Sequence, residues 1–435
     1  MGKIASMFNL KDFGVTKNIA VLKNGSKLYH FYKKNMPIST AVLFDAGSCN
    51  DPLGKEGLAH FCEHILFKST KKFKDETEVG LFIESIGGQM NAFTGVDILG
   101  VTAEVGFTED YPKVVDFLHE LTRNSLFDQT KINIERGTIL GEIADYESNP
   151  AFYIHDLTQQ VLFTGSYAER SIAGSSETVT GISREDLYQF YVNRIVKSKM
   201  YILVAGDIEF YKLVGLFNDG FQENNTSPIL EEKSELVLPR SVDTKIKEYK
   251  DTDQIYMSFS FRTCPAHNND SSVLEVIRTI IGDGFSSSLF RKLRTENGLV
   301  YMINVSSENL FDRGYFSVVT STSKDRVQKV LDVLTEEFRR LESGEITQEE
   351  LDLAKNKIIK SKVREMQNSS SWVEAHISEI YFNPKNPKDL AEILNEVEKV
   401  SLDDVKNVTK KYFSNNKWYL AMCGDISEKD FEVKY

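Results

Sequence analysis

KMYILVAGDI, Lys199–Ile208, returns as KWYLAMCGDI, Lys417–Ile426, after 218 residues, half the length of the 435-residue chain. Each copy is an apolar run closed by Gly-Asp, the pattern of a buried strand that ends in a turn. The segments upstream agree at the same shift. Ile182-Ser183-Arg184-Glu185-Asp186-Leu187 aligns with Val400-Ser401-Leu402-Asp403-Asp404-Val405, and each opens a helix behind a serine N-cap. Equal spacing over two consecutive elements points to an internal duplication, so one plan is built twice.

Working outward from the repeat, residues 38–46 and 98–106 read as strands, and 57–68, 76–86, 109–124, 128–148, 152–163 and 182–195 as helices. The second half reads as strands at 254–262, 299–307 and 313–321, with helices at 270–281, 324–342, 347–368 and 401–413. The expected fold is α+β: two homologous domains, residues 1–220 and 246–435, each a mainly antiparallel sheet flanked by helices. Residues 221–245 carry Asn224-Asn225-Thr226-Ser227-Pro228, the acidic pair Glu231 and Glu232, and Pro239, which is the composition of a linker.

His60-Phe61-Cys62-Glu63-His64 spells H-x-x-E-H inside the 57–68 helix. Residues four apart share a helix face, so His60 and His64 can converge on one metal ion while Glu63 stands beside them. Zinc makes water acidic near neutral pH, and a carboxylate that is not itself a ligand can take the proton and pass it to a leaving amine. Cys62 lies two positions from each histidine and points away from their shared face, as a small packed thiol does. Two histidines do not complete a catalytic zinc site, which commonly holds three protein ligands. His30, His119, His155, His267 and His376 lie in unrelated segments and read as surface or packed residues. The 128–148 helix offers carboxylates instead: Glu135 and Glu142, two helical turns apart, face the same way.

Composition narrows the function classes. The formal charge is −12, with 41% hydrophobic and 27% charged residues, which suits a water-facing globular protein and argues against a nucleic-acid surface. No apolar run approaches the roughly eighteen residues of a membrane span. The start, Met1-Gly2-Lys3-Ile4-Ala5-Ser6, shows no secretory pattern, so a cytoplasmic location is expected; it also fits the short M-G-x-x-x-[ST] myristoylation pattern. Cys49, Cys62, Cys264 and Cys423 are scattered and suggest no disulfide framework.

With these residues in view, the chain resembles the pitrilysin-type (M16) family of inverted zinc metallopeptidases, and within it the two-domain, processing-peptidase-like bacterial members. The resemblance runs nearly full length. It implies one zinc ion per chain held by His60, His64 and Glu142, with Glu63 as catalytic base and Glu135 as a helper. Gly87-Gly88-Gln89-Met90-Asn91-Ala92-Phe93-Thr94 resembles the family's substrate-binding edge strand, which makes Asn91 and Ala92 substrate contacts. An edge strand can pair with an extended peptide through its main chain. After Asp97 the chain has Ile98-Leu99-Gly100-Val101 where the family favours Thr and Tyr, a departure that bears on substrate preference.

In the second half, Arg294 and Tyr301 match the family's Arg/Tyr element, and Gly282-Asp283-Gly284-Phe285-Ser286-Ser287-Ser288 its Gly-rich loop. Arginine can hold a substrate carbonyl or carboxylate, and a tyrosine hydroxyl can donate to a developing oxyanion. The second half has no H-x-x-E-H, so metal is expected in the first half alone. The resemblance further implies a dimeric chamber. A homodimer would set Arg294 and Tyr301 of one subunit against the metal of the other; a heterodimer with a related subunit is the other arrangement. The function expected is hydrolysis of unfolded peptides, in degradation or in leader processing, against the alternative of a non-catalytic subunit. An amidohydrolase of small molecules fits less well with a peptide-pairing strand.

Overall fold

A computed structural model describes residues 8–222, 235–239, 243–414 and 417–435. The N-terminal myristoylation pattern and most of the expected linker lie outside these residues. The chain forms two compact units, one from Met1–Ala144, Ser171–Glu232 and Val363–Ala391, the other from Asp145–Arg170, Lys233–Lys362 and Glu392–Tyr435.

The first unit is built on a six-stranded sheet. Its strands are β1 (Thr16–Val21), β2 (Lys27–Tyr32), β3 (Ile38–Phe44), β4 (Gln89–Thr94), β5 (Leu99–Val105) and β6 (Tyr201–Gly206), in the order β1-β2-β6-β3-β5-β4. Only β2 and β6 run parallel. The second unit has β7 (Thr244–Glu248), β8 (Ile255–Thr263), β9 (Ile303–Asn309), β10 (Gly314–Thr322) and β11 (Trp418–Gly424), in the order β7-β11-β8-β10-β9. Here too a single pair, β7 with β11, is parallel. Strand for strand, β2-β6-β3-β5-β4 repeats as β7-β11-β8-β10-β9, and the two copies of the opening repeat are β6 and β11. The mixed α/β fold with two like-built sheets agrees with the sequence reading.

The helices needed for the site are α1 (Leu58–Leu66), α2 (Glu76–Ser85), α3 (Tyr111–Arg123), α4 (Gln129–Ser148) and α5 (Pro150–Leu162). Phe61 of α1, Val114 and Phe117 of α3, and Val42 and Phe44 of β3 share one core. Ser183 and Ser401 do cap their helices, each closing a capping box with the aspartate three residues on, Asp186 and Asp404.

The boundaries depart from 1–220 and 246–435. Helix α5 belongs to the second unit, where Ile154, Leu157 and Val161 pack with Tyr419, Ala421 and Cys423 of β11. The helix Ser369–Phe382, unforeseen in the sequence, belongs to the first unit. Its buried His376 lies 4.1 Å from Phe31 of β2 and its Tyr381 6.1 Å from Tyr201 of β6, ring centre to ring centre. The two halves have thus exchanged a helix. The physical reason shows in β3 and β6, every residue of which is buried. Strands that are apolar on both faces need cover on both, and the exchanged helix covers the second face. The expected linker begins where the helix Phe210–Gly220 ends but is too long at its other end, where Thr244 opens β7.

Candidate metal and peptide-hydrolysis site

The site grows from the N-terminus of α1. Gly57 has φ 93°, and a Cβ there would meet the Ala173 carbonyl oxygen at 2.5 Å, so glycine is required at this turn. The buried Asp51 accepts from the Gly57 and Ala59 N–H groups, both at 2.9 Å, and supplies the cap that Gly57 lacks. Phe61, Cys62 and Ile65 face the core, which turns the opposite edge of α1 outward. On that edge the Nε2 atoms of His60 and His64 approach to 3.1 Å.

Glu142 of α4 completes a triangle. Its carboxylate lies 4.0 Å from His60 Nε2 and 3.9 Å from His64 Nε2, and its side chain is half exposed. One donor atom from each of these three residues falls within 4.8 Å of the others. Ligands of tetrahedral zinc at about 2.0–2.1 Å stand roughly 3.3 Å apart, so the set fits such an ion with small adjustments. Two imidazoles and one carboxylate are also a donor set that catalytic zinc uses.

Glu135, two helical turns back along α4, does not join the triangle. Its Oε1 lies 2.7 Å from His64 Nδ1 and its Oε2 2.8 Å from Lys68 Nζ, and the residue is buried. The His64 Nδ1–H therefore donates to Glu135, which turns the Nε2 lone pair toward His60 and Glu142. Burial alone would raise the Glu135 carboxyl, but the hydrogen bonds and charges of His64 and Lys68 outweigh it and hold the group below the usual range. Burial likewise opposes charge on His64, yet the bond to Glu135 and the charges of Glu63, Glu135 and Glu142 hold its pKa above the ordinary imidazole value. His60 goes the other way: burial, and then the His64 charge, bring it down to about 4, so it stands neutral, as a ligand must.

Glu63 is held apart from the triangle by β4. Thr94 Oγ1 donates to Glu63 Oε2 at 2.6 Å, leaving the other oxygen for a different donor. Burial pushes the Glu63 carboxyl up, the Thr94 bond and His64 charge pull it back, and the Glu142 charge adds to the rise. A raised carboxyl is suited to carrying a proton between water and a leaving group.

Strand β4 is the outer strand of its sheet, paired on one side by β5. Asn91 is exposed and its side chain accepts from the Ala92 N–H at 2.9 Å. In the second unit, the Arg294 guanidinium stacks over the rings of Phe290 and Tyr301, 5.1 and 4.8 Å from their centres. Tyr301 is 81% exposed, and Phe285 of the Gly-rich loop 84%. Arg294 and Tyr301 are thus neighbours, within the unit that does not contain the His60–His64–Glu142 triangle.

Residues 32–176 match the family model described as Insulinase (Peptidase family M16), and residues 181–358 match the model described as Peptidase M16 inactive domain. The chain belongs to peptidase family M16. Among similar proteins, an uncharacterized zinc protease of Bacillus subtilis is 25% identical over 87% of this chain and 91% of its own. One of Rickettsia felis is 26% identical over 92% of this chain and 95% of its own. The fold is shared with the peptidase M16 inactive domain from Pseudomonas fluorescens, at a TM-score of 0.85 and 16% identity, covering 95% of this chain and 98% of that one. A protease from Helicobacter pylori has a TM-score of 0.85 at 19% identity, covering 94% and 99%. No helix among the described residues is long and apolar enough to cross a membrane.

The sequence reading placed no role on Asp51, Lys68 or Thr94. Lys68 was within reach, since it lies one turn beyond His64 on the same face. Asp51 and Thr94 act on α1 from outside the helix, and periodicity carries no sign of that.

Proposed function

We propose that this chain is a zinc-dependent endopeptidase that hydrolyses extended peptides, with His60, His64 and Glu142 as the metal ligands and Glu63 as the proton carrier. The observation that carries this reading is the convergence of three ligand atoms beside a carboxylate that Thr94 keeps out of the ligand set. A zinc ion there would supply Lewis acidity toward water and toward a peptide carbonyl. The Glu63 oxygen not engaged by Thr94 accepts a proton from the attacking water and returns it to the leaving amine nitrogen. Strand β4, with Asn91 and Ala92, pairs with the substrate main chain, which gives affinity for extended peptides and excludes folded ones. Glu135 acts through His64 as a positioning residue.

Arg294 and Tyr301 would serve the site from a partner subunit in a homodimer, Arg294 holding the substrate and Tyr301 donating to the developing oxyanion. A heterodimer with a related chain would serve the same end. The relatives' description as zinc proteases supports the reading.

The test is cleavage of a mixed peptide library by the zinc-loaded protein, read by mass spectrometry, beside Glu63→Gln and Glu142→Gln. Glu63→Gln should keep its zinc and lose hydrolysis by at least ~100-fold, while Glu142→Gln should lose zinc affinity. Normal turnover by the Glu63 variant would sink the mechanism. A zinc-loaded wild type that cleaves nothing, alone or with a related chain, would favour the non-catalytic subunit.

A further inference from the structure

Two loops of the first unit meet next to the site: residues 45–51, which lead from β3 toward α1, and residues 95–98, which join β4 to β5. The N–H groups of Gly47, Ser48 and Cys49 donate to the carbonyl oxygens of Asp97, Gly95 and Val96, at 3.3, 3.1 and 2.8 Å. A Cβ on Gly47 would stand 2.4 Å from the Val96 carbonyl oxygen, so only glycine lets the two backbones lie this close. Each loop is joined to one side of the Glu63–Thr94 contact. The first ends in Asp51, which caps α1, and the second directly follows Thr94, whose hydroxyl donates to Glu63.

A third segment ties the two loops together. Tyr381, near the end of the exchanged helix Ser369–Phe382, is buried, and its hydroxyl donates to Asp45 Oδ1 at 3.2 Å and to the Asp97 carbonyl oxygen at 3.0 Å. One hydrogen is thus shared between an acceptor in each loop. A buried hydroxyl costs free energy unless it is bonded, and these acceptors offset that cost. The duplicated helix shows that packing alone does not call for it. Counted from the N-caps Asn149 and Asn368, Tyr381 aligns with Leu162 of α5, which is buried in the cluster of β11 in the second unit. Leucine serves where there is no ligand triangle, and a hydroxyl stands where there is one. We propose that Tyr381 is a positioning residue for Glu63: by fixing the turn 95–98 against the loop 45–51, it holds Thr94 on β4 in register with Glu63 on α1. The inference rests on the reading of Glu63 as the proton carrier. Because Tyr381 comes from the second half of the sequence, the helix exchange then serves the site as well as the sheet.

Tyr381→Phe keeps the ring and removes the hydroxyl, while Arg194 Nη1 stays beside Asp45 Oδ2, 3.8 Å away in the wild type. Circular dichroism and the urea midpoint check the fold. Two readouts on the full-length zinc-loaded protein then test the inference. In protein labelled at its threonine methyl groups, the Thr94 signal, identified by its loss in Thr94→Val, should move in Tyr381→Phe toward its position in Glu63→Ala. In turnover of a peptide that the wild type cleaves, Tyr381→Phe should lower kcat ~3-fold or more with KM within ~2-fold and zinc stoichiometric. Added to Thr94→Val, it should lower kcat by less than a further ~2-fold, because the contact that it supports is already gone. A structural role alone would multiply the two losses. An unmoved Thr94 signal, an unchanged kcat or a multiplicative double variant would overturn the inference. The peptidase reading fails separately: if the wild type cleaves no peptide while the Thr94 signal moves, Tyr381 still positions Glu63 and hydrolysis is what falls.

Discussion

Glu135 and His64 form a carboxylate–imidazole pair at 2.7 Å, with the imidazole's other nitrogen directed at His60 and Glu142. The pair separates two glutamates that the sequence could not separate by face alone: Glu142 approaches the Nε2 atoms of His60 and His64, and Glu135 bonds His64 Nδ1. Glu135→Gln keeps a hydrogen-bond acceptor but loses the charge that raises ligand basicity. Zinc affinity, measured by competition with a chelating dye, should drop ~10- to 100-fold, with a smaller change in turnover once zinc is saturating. Unchanged affinity would make Glu135 only a structural partner of Lys68.

Thr94→Val removes the hydrogen bond that Thr94 Oγ1 donates to Glu63 while preserving the shape of β4. Glu63 would then be free to rotate toward the ligand set. We expect bound zinc to remain stoichiometric and kcat to fall ~10-fold or more, whereas Thr94→Ser should retain most of it. Loss of zinc in the valine variant would mean that Thr94 acts on the ligands instead.

Asp51→Ala leaves the Gly57 and Ala59 N–H groups buried without their carboxylate acceptor. The cost should be about 2 kcal/mol, seen as a lower urea midpoint at unchanged slope. Because His60 lies in the first turn of α1, zinc affinity should weaken as well.

His376 gives the fold a defined sensitivity to acid. Its Nδ1 lies 2.7 Å from the Trp372 carbonyl oxygen, and its Nε2 accepts from the Leu390 N–H at 3.1 Å, so the neutral ring is fully used. Burial brings its pKa down from 6.5 to about 4. A depressed histidine favours the folded state fully above its unfolded value of 6.5 and loses that contribution as pH falls toward 4. About 2 kcal/mol should be gone by pH 5. His30, also brought down to about 4 by burial, adds a similar slope of its own. Urea unfolding of His376→Gln at pH 7 and pH 5 should show a smaller pH loss than the wild type; equal losses would exclude His376 as the source.

Strands β3, β5, β8 and β10 and helices α1 to α5 fall within a few residues of where hydrophobic periodicity puts them. Strands β1 and β2 and the helix Ser369–Phe382 do not. Edge strands such as β1 are too exposed for a clear alternation. The helix Ser369–Phe382 buries Trp372, Val373, His376, Ile380 and Tyr381, a spacing suited to packing, but its start is a run of serines that reads as loop.

What the sequence determined by itself was local or repetitive: the facing of His60 and His64, set by the pitch of one helix, and the twofold plan, set by a repeat at a constant shift. Tertiary structure alone decided which glutamate approaches the two histidine Nε2 atoms and which bonds His64 Nδ1, that Thr94 holds Glu63, that Asp51 caps α1, and that each half lends the other a helix. Apart from the Asp51 cap, these relations join segments dozens to hundreds of residues apart. Their geometry comes from strand order and from the need to cover both faces of a buried sheet, which no local pattern records.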